Sequence, residues 1–266
     1  MGRLSECFRA LRSKGERGLL PFVTAGDPDL ELTEALVLSF AEAGADAIEI
    51  GVPFSDPIAD GPTIQRSSQR ALAAKTSLRR IVELVARVRP KVDLPLVLMG
   101  YANPFFAMGE ERFAAIAAEV GVDGVICPDL PPEEGEVFYA ALESRGVDPI
   151  LLAAPTTSAE RLEILAKRTR GFLYYVALTG VTGARSAISS DLREGVARVR
   201  SVSDVPVCVG FGVSTPEQAR EIASYADGIV VASAIIDRME RVEDRSEKVD
   251  VAAQFVSDLK GVLRRG

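Results

Sequence analysis

The chain has no histidine, and only six lysines in 266 residues. Without histidine it lacks the side chain that most often acts as a general base near neutral pH and most often ligates metals. The lysines, at positions 14, 75, 91, 167, 248 and 260, read as turn or solvent-facing helix residues, so no Schiff-base lysine is expected. Cys7, Cys127 and Cys208 are odd in number and far apart, with no CxxC spacing, which excludes a disulfide or metal framework and reads as reduced thiols. No run of 18 apolar residues could cross a bilayer. The opening MGRLSECFRALRSKGERG carries charges throughout and has no apolar core of a signal peptide, so a cytoplasmic protein is expected. A basic stripe with interleaved aromatics is also missing, and the net charge is −7, which argues against nucleic acid or an anionic membrane as partner.

What is present is an ordinary globular composition, 47% hydrophobic and 26% charged. Short β-branched runs recur at Leu19–Val23, Ala47–Ile50, Leu94–Met99, Gly124–Cys127, Pro149–Leu152, Phe172–Val176, Val205–Val209 and Gly228–Val231. Between them lie helical patterns such as Glu31–Ala43, Leu78–Val88, Glu111–Val120, Glu133–Ser144, Ala159–Lys167, Leu192–Val202 and Pro216–Ser224, with apolar residues at i, i+3 and i+4. Thr215-Pro-Glu-Gln218 reads as a capping box with proline at the first helical position, and Ser158 as a cap. Ala43-Gly-Ala-Asp46, Val120-Gly-Val-Asp-Gly124 and Arg145-Gly-Val-Asp148 repeat one theme of helix end, glycine, strand. Eight such strand–helix units, each roughly thirty residues, predict a single-domain (β/α)8 barrel across 1–266, a fold of ~250 residues, with an extra helix over Leu4–Arg12 covering its bottom. A doubly wound dinucleotide fold would need GxGxxG after the first strand, and Ala25-Gly-Asp-Pro28 is not that.

The segment IEIGVPFSDPIADG, residues 48–61, places a carboxylate between two isoleucines of a strand. Strand alternation in a barrel turns Ala47 and Glu49 inward and Ile48 and Ile50 toward the helices. A carboxyl near the barrel mouth in apolar surroundings has a raised pKa, which suits a group that gives and takes a proton near neutrality. The competing reading is a structural acid paired with an arginine. Asp60 ends the following loop and can reach over the mouth, whereas Asp56, in Ser-Asp-Pro, reads as turn chemistry. After the last three strands come Gly180-Val-Thr-Gly183, Gly210-Phe-Gly-Val213 and Val231-Ala-Ser-Ala234, which together fit the phosphate site that late barrel loops form with backbone N–H groups.

These stretches, together with PFVTAGDP, MGYANPFF, GVDGVICPDLPPEE and GFGVSTPEQ, resemble the tryptophan synthase alpha subunit family from about Leu4 to Leu263. The resemblance implies a (β/α)8 barrel that splits indole-3-glycerol phosphate into indole and glyceraldehyde 3-phosphate, with no cofactor or metal of its own. It also implies an α2β2 complex with a pyridoxal-phosphate β subunit that receives the indole. Position by position it makes Glu49 the general acid/base and Asp60 the acid that holds the indole N–H. Phe22, Ile126, Tyr174, Phe211 and Val230 match the indole pocket, and Thr182, Gly183, Gly212, Ala232 and Ser233 the phosphate loops. Ala232 stands where glycine is usual, which would crowd the phosphate if that backbone needs a positive φ. Val176-Ala-Leu-Thr179 lacks a serine often found before the sixth loop.

The loops Pro53-Phe-Ser-Asp56, Asn103-Pro-Phe-Phe-Ala-Met108 and Asp129-Leu-Pro-Pro132 concentrate Phe, Met and Pro on the open face of the barrel. They predict a partner interface through Pro53, Asp56, Asn103, Phe105, Phe106, Asp129 and Pro131. The competing reading folds Phe105 and Phe106 back onto the barrel rim. Three other functions compete: a Mg²⁺ site of Glu49, Asp56 and Asp60, a lyase that works without a partner, and a non-catalytic activating subunit.

Overall fold

The computed structural model describes residues 2–176, 185–210 and 212–264. Its strands are β1 (Gly18–Thr24), β2 (Ile48–Gly51), β3 (Leu96–Met99), β4 (Gly124–Ile126), β5 (Asp148–Ile150), β6 (Leu152–Ala153), β7 (Leu173–Val176), β8 (Val207–Gly210) and β9 (Gly228–Val231). All pair in parallel, in the order β5-β4-β3-β2-β1-β9-β8-β7-β6. β5 and β6 are two pieces of one extended segment interrupted at Leu151. The Leu151 N–H turns to the Thr169 hydroxyl at 3.0 Å, while its carbonyl still accepts from the Tyr174 N–H at 3.0 Å. The two ends of the sheet order therefore meet, and the expected eight-stranded barrel is what the chain forms.

Side-chain alternation sorts two cores. Leu20, Ala47, Val97, Ile126, Ile150, Tyr174, Cys208 and Val230 fill the barrel interior. Leu19, Ile48, Ile50, Leu98, Val125, Val209 and Ile229 face the surrounding helices. The helix Arg3–Lys14, close to the predicted one, inserts Leu4, Phe8 and Leu11 into the interior set, with Phe8 and Phe172 rings 5.7 Å apart. Each such side chain contributes roughly 1.5–3 kcal/mol when removed from water. The plug closes the bottom.

Helix punctuation follows the sequence with one change of detail. The Ser158 side chain accepts from the Arg161 N–H, and Thr215 from the Gln218 N–H. The Gln218 amide oxygen bonds back to the Ser214 N–H at 2.8 Å, one residue ahead of the reciprocal partner of a capping box. Gly44, Gly121 and Gly146 have φ of +96°, +85° and +76°, as the helix-end theme requires.

The structure adds helices at Pro62–Ala73, Ala102–Met108, Ser233–Met239 and Arg245–Leu263. The first hid because its buried face is Ser67, Ser68 and Ala71, which leaves no apolar stripe to read. In the second, Pro104 is harmless because the first-turn N–H groups lack intrahelical partners anyway.

Lys260 is a correction to the reading of all six lysines as exposed. It is 3% exposed, and its ammonium sits 2.8 and 2.9 Å from the Asp46 carboxylate, whose Oδ2 also accepts from the Leu19 N–H at 2.7 Å. The pair fastens the C-terminal helix Arg245–Leu263 to the start of β1. Glu16 lies 3.6 Å from the same ammonium, so removing Lys260 takes the cation from both acids and leaves the Asp46 carboxylate largely buried without it. Lys260→Met is therefore expected to cost about 2–4 kcal/mol in urea unfolding, and a loss below ~0.5 kcal/mol would mean that water already satisfies Asp46.

Candidate active site

β2 carries Glu49 in register with Phe22 of β1 and Val97 of β3, so the carboxyl points into the barrel near its C-terminal mouth. Glu49 is 1% exposed, and neither carboxylate oxygen has a hydrogen-bond partner among the described residues. Among the described residues no arginine pairs with it, so the structural-acid reading fails. Desolvation, reinforced by the charge of Asp60, pushes its pKa up to about 8.

Asp60 reaches the same space from the loop after β2. Desolvation raises its pKa, and a hydrogen bond from the Tyr101 hydroxyl, 3.0 Å from Oδ2, opposes that shift. The two acids therefore sit in different environments: one orphaned in the barrel, one solvated in part and held by a phenol. Such a pair divides proton chemistry between a protonated and an ionised carboxyl.

Both acids border a cavity of about 340 Å³ at the mouth, walled by Phe22, Met99, Leu152, Tyr174, Val176 and Val230 and bordered by Thr63, Gly212, Ala232, Ser233 and Asp237. Gly210 also borders it and cannot carry a side chain, since a Cβ there would lie 2.4 Å from the Tyr174 hydroxyl oxygen. Ile126 is buried in the interior cluster and does not reach the cavity wall. Thr182, Gly183 and Phe211 lie outside the described residues, as does the segment 177–179. Ala232 has φ −120° and ψ −79°, so the residue that replaces glycine needs no left-handed backbone. Gly212, at φ +29°, is the late-loop position that does.

The helix Pro62–Ala73, which follows Asp60 directly, is clamped along its length. The Thr63 hydroxyl donates to Asp237 at 3.0 Å. Ser67 and Arg70 bond the buried Asp27 at 2.5, 2.6 and 2.7 Å, and Arg66 and Arg70 both reach Glu240. The loop bearing Asp60 is thus anchored to β1's exit and to the helix Ser233–Met239.

A sequence profile of the family described as "Tryptophan synthase alpha chain" matches residues 8–263. The tryptophan synthase alpha chain of Geobacter sp. (strain M21) is 53% identical over 99% of both chains, and that of Thermoanaerobacter sp. (strain X514) is 43% identical over 99% of this chain and 100% of its own. The chain belongs to the tryptophan synthase alpha chain family. Among solved structures, tryptophan synthase subunit alpha from Legionella pneumophila str. Paris superposes with a TM-score of 0.90 at 36% identity, covering 99% of this chain and 98% of that one. A chain of Mycobacterium tuberculosis tryptophan synthase gives 0.91 at 36% identity, covering 100% and 99%.

On the open face, Asp56, Asn103, Asp129 and Pro131 are exposed, and Phe106 is 42% exposed. Phe105 corrects the interface reading. It is fully buried against Phe113 and Phe138, with ring centroids 4.6 and 5.6 Å away, and so belongs to the core beneath the rim. Pro53 is buried as well. Asp129 has a local task too, since its Oδ1 caps the helix Ala102–Met108 by accepting from the Ala102 N–H at 2.9 Å. The reading of loops by aromatic content missed Ile58, which is 85% exposed beside Asp60. It also assigned nothing to Tyr101, although a polar aromatic just past a barrel strand stands where such enzymes place functional groups. Asp56 bonds Ser55 on the surface and does not border the cavity, so Glu49, Asp56 and Asp60 do not converge as a metal site. Among the described residues, no convergence of three or more metal-ligating side chains occurs.

The raised pKa of Glu49 sets a stability profile for the empty protein. An unfolded chain releases this proton near 4.5, whereas the folded one keeps it until about 8. The folded state binds more protons between those limits, so the contribution is complete below 4.5 and is lost as pH rises through 8. Glu49→Gln removes that linkage. The variant is expected to match wild type near pH 4.5 and to exceed it by a few kcal/mol, about 2–4, at pH 8 in urea unfolding. Parallel pH profiles for the two proteins would show that Glu49 titrates normally.

Proposed function

We propose that the mouth cavity is where this chain cleaves indole-3-glycerol phosphate, with Glu49 moving the protons and Asp60 holding the ring nitrogen. As a member of its family the chain is a carbon–carbon lyase of tryptophan biosynthesis that releases indole and glyceraldehyde 3-phosphate and pairs with the tryptophan synthase β subunit. The observation that carries the assignment of roles is the Glu49 carboxyl, buried at the cavity with no hydrogen-bond partner among the described residues, where desolvation raises its pKa.

Breaking the bond between indole C3 and the glycerol carbon first requires a proton on C3, because an aromatic ring is a poor carbanion leaving group. Glu49, neutral in the resting enzyme, gives that proton. The ring becomes a protonated indolenine, and the positive charge spreads to N1–H, where the Asp60 carboxylate stabilises it. Glu49 is now the base. It takes the proton from the adjacent hydroxyl as the C–O bond becomes a carbonyl, and the bonding pair returns to the ring to restore indole. The carboxyl ends the cycle protonated, as it began. The apolar wall of Phe22, Leu152, Tyr174 and Val230 suits the indole. Gly212, Ala232 and Ser233 border the far side, where late-loop backbone N–H groups would receive the phosphate together with Thr182 and Gly183. No cofactor of the chain's own enters this scheme. The reading treats the chain as one barrel domain in the cytoplasm, where its three unbridged cysteines stay reduced.

Indole release from indole-3-glycerol phosphate tests the roles. Glu49→Gln is expected to lose roughly 10²–10⁴-fold in kcat while still binding substrate. Asp60→Asn should lose at least about tenfold, ~1.4 kcal/mol of barrier. In wild type, kcat/KM should fall above pH about 8 as Glu49 ionises, and on the acid side above the usual carboxylate range as Asp60 is protonated. Near-normal turnover of Glu49→Gln would sink the assignment.

Complex formation tests the surface. Sedimentation with the cognate β subunit should give an α2β2 species that cleaves faster than the chain alone. Asp56→Ala should reduce that activation more than it reduces the isolated reaction. Full activity alone and no complex at micromolar concentration would favour a standalone lyase.

A further inference from the structure

Tyr101 lies just past β3 and is 3% exposed. Its hydroxyl makes two hydrogen bonds, donating to Asp60 Oδ2 at 3.0 Å and accepting from the Ala59 N–H at 3.0 Å. Among the described residues, no other side chain donates to the Asp60 carboxylate. The remaining bonds of Asp60 hold its backbone: its N–H to the Pro57 carbonyl at 3.1 Å, and its carbonyl to the Gln65 amide at 2.8 Å. Among the described residues, one phenol sets the orientation of the carboxylate.

The ring of that phenol is itself held. It stacks on Phe54 with centroids 5.2 Å apart and planes at 27°. Phe54 lies in the Pro53–Asp56 stretch, on the face read above as meeting the partner. Tyr101 thus grips the loop at both ends, at Phe54 through its ring and at Ala59 and Asp60 through its hydroxyl. An offset aromatic pair resists sliding, because its attraction depends on ring registry. A displacement of the Phe54 end would carry the hydroxyl, and with it the carboxylate, by a similar amount.

We propose that Tyr101 is a positioning residue of the lyase site, which aims Asp60 at the substrate nitrogen and, through Phe54, makes that aim depend on the partner-facing loop. The proposal rests on the role given to Asp60 above. One oxygen is fixed by the phenol and the other is left for the substrate N–H. A hydrogen bond to the charged form also favours ionisation, so Tyr101 keeps Asp60 available as an anion against its own desolvation. Preorganised charge of this kind acts on the transition state more than on binding.

The test is the indole-release assay on the full chain, with and without β subunit, for Tyr101→Phe, Asp60→Asn, their double variant, and Phe54→Leu. Tyr101→Phe keeps the ring and its stack, and circular-dichroism melting checks that it folds. Its kcat is expected to fall about 10–100-fold with KM within about twofold, and the acid limb of its kcat/KM profile should move to higher pH. The double variant should be no worse than Asp60→Asn within about twofold. Phe54→Leu, which leaves the hydroxyl in place, should cut the stimulation by β subunit at least about threefold, and this effect should vanish in the Tyr101→Phe background. If Asp60→Asn keeps wild-type turnover, the role of Asp60 fails whatever the tyrosine does. If Asp60→Asn is impaired while Tyr101→Phe keeps both its kcat and its acid limb, positioning by Tyr101 is overturned. Losses that multiply in the double variant would overturn it too, since Tyr101 would then act without Asp60. Undiminished stimulation of Phe54→Leu would overturn the link to the partner face.

Discussion

A carboxyl group enclosed in a barrel, with no hydrogen-bond partner among the described residues, is the constraint around which the site is organised. Glu49 is inside because β2 alternates strictly, and Ile48 and Ile50 are committed to the helical layer. Turning the strand over to expose Glu49 would drive two isoleucines into the mouth, at about 1.5–3 kcal/mol for each one left unburied. Packing of the outer layer therefore fixes an acid in the inner one. The low dielectric there does the rest, keeping the proton on at neutral pH. The bottom of the barrel is plugged by Leu4, Phe8 and Leu11, so the approach to this acid is from the mouth.

The second acid is held by a different physics. Asp60 belongs to a loop, and a loop carboxylate is precise only if other elements fix it. The following helix is tied to Asp27, Asp237 and Glu240 by hydroxyl and guanidinium groups of Thr63, Arg66, Ser67 and Arg70. Exposed members of that set stabilise little individually. The bidentate Arg70 contact to the buried Asp27 is the strong one, because planar guanidinium geometry matches both oxygens. The result is a rigid acid in the barrel opposite a tethered acid on a loop.

The sequence conceals residues whose signal is carried by neighbours far along the chain. Pro62–Ala73 did not read as a helix because its buried face carries Ser67 and Ser68, the first of which donates to Asp27. Lys260 reads as solvent-facing until Asp46, 214 positions earlier, is brought beside it. Phe105 and Phe106 are adjacent and chemically identical, yet one is buried within the Phe113–Phe138 cluster and the other touches Phe138 edge-on from the rim and stays exposed. Composition alone assigns both to an interface.

The order of strand and helix, the inward side of each strand and the two acids were legible from the sequence. Each depends on local periodicity, on glycine and proline chemistry, or on a carboxylate conspicuous in an apolar strand. Ala232 shows where such reading stops, since whether its Cβ is tolerated depends on a φ of −120° that no neighbouring residue announces. Tertiary structure alone decided which side chains surround the acids. Closure of the barrel leaves Glu49 without a hydrogen-bond partner among the described residues, and the meeting of two loops from successive strands hands Asp60 to Tyr101. Those contacts join residues distant in sequence, and their energies depend on desolvation and angstrom-scale geometry, neither of which a linear pattern encodes.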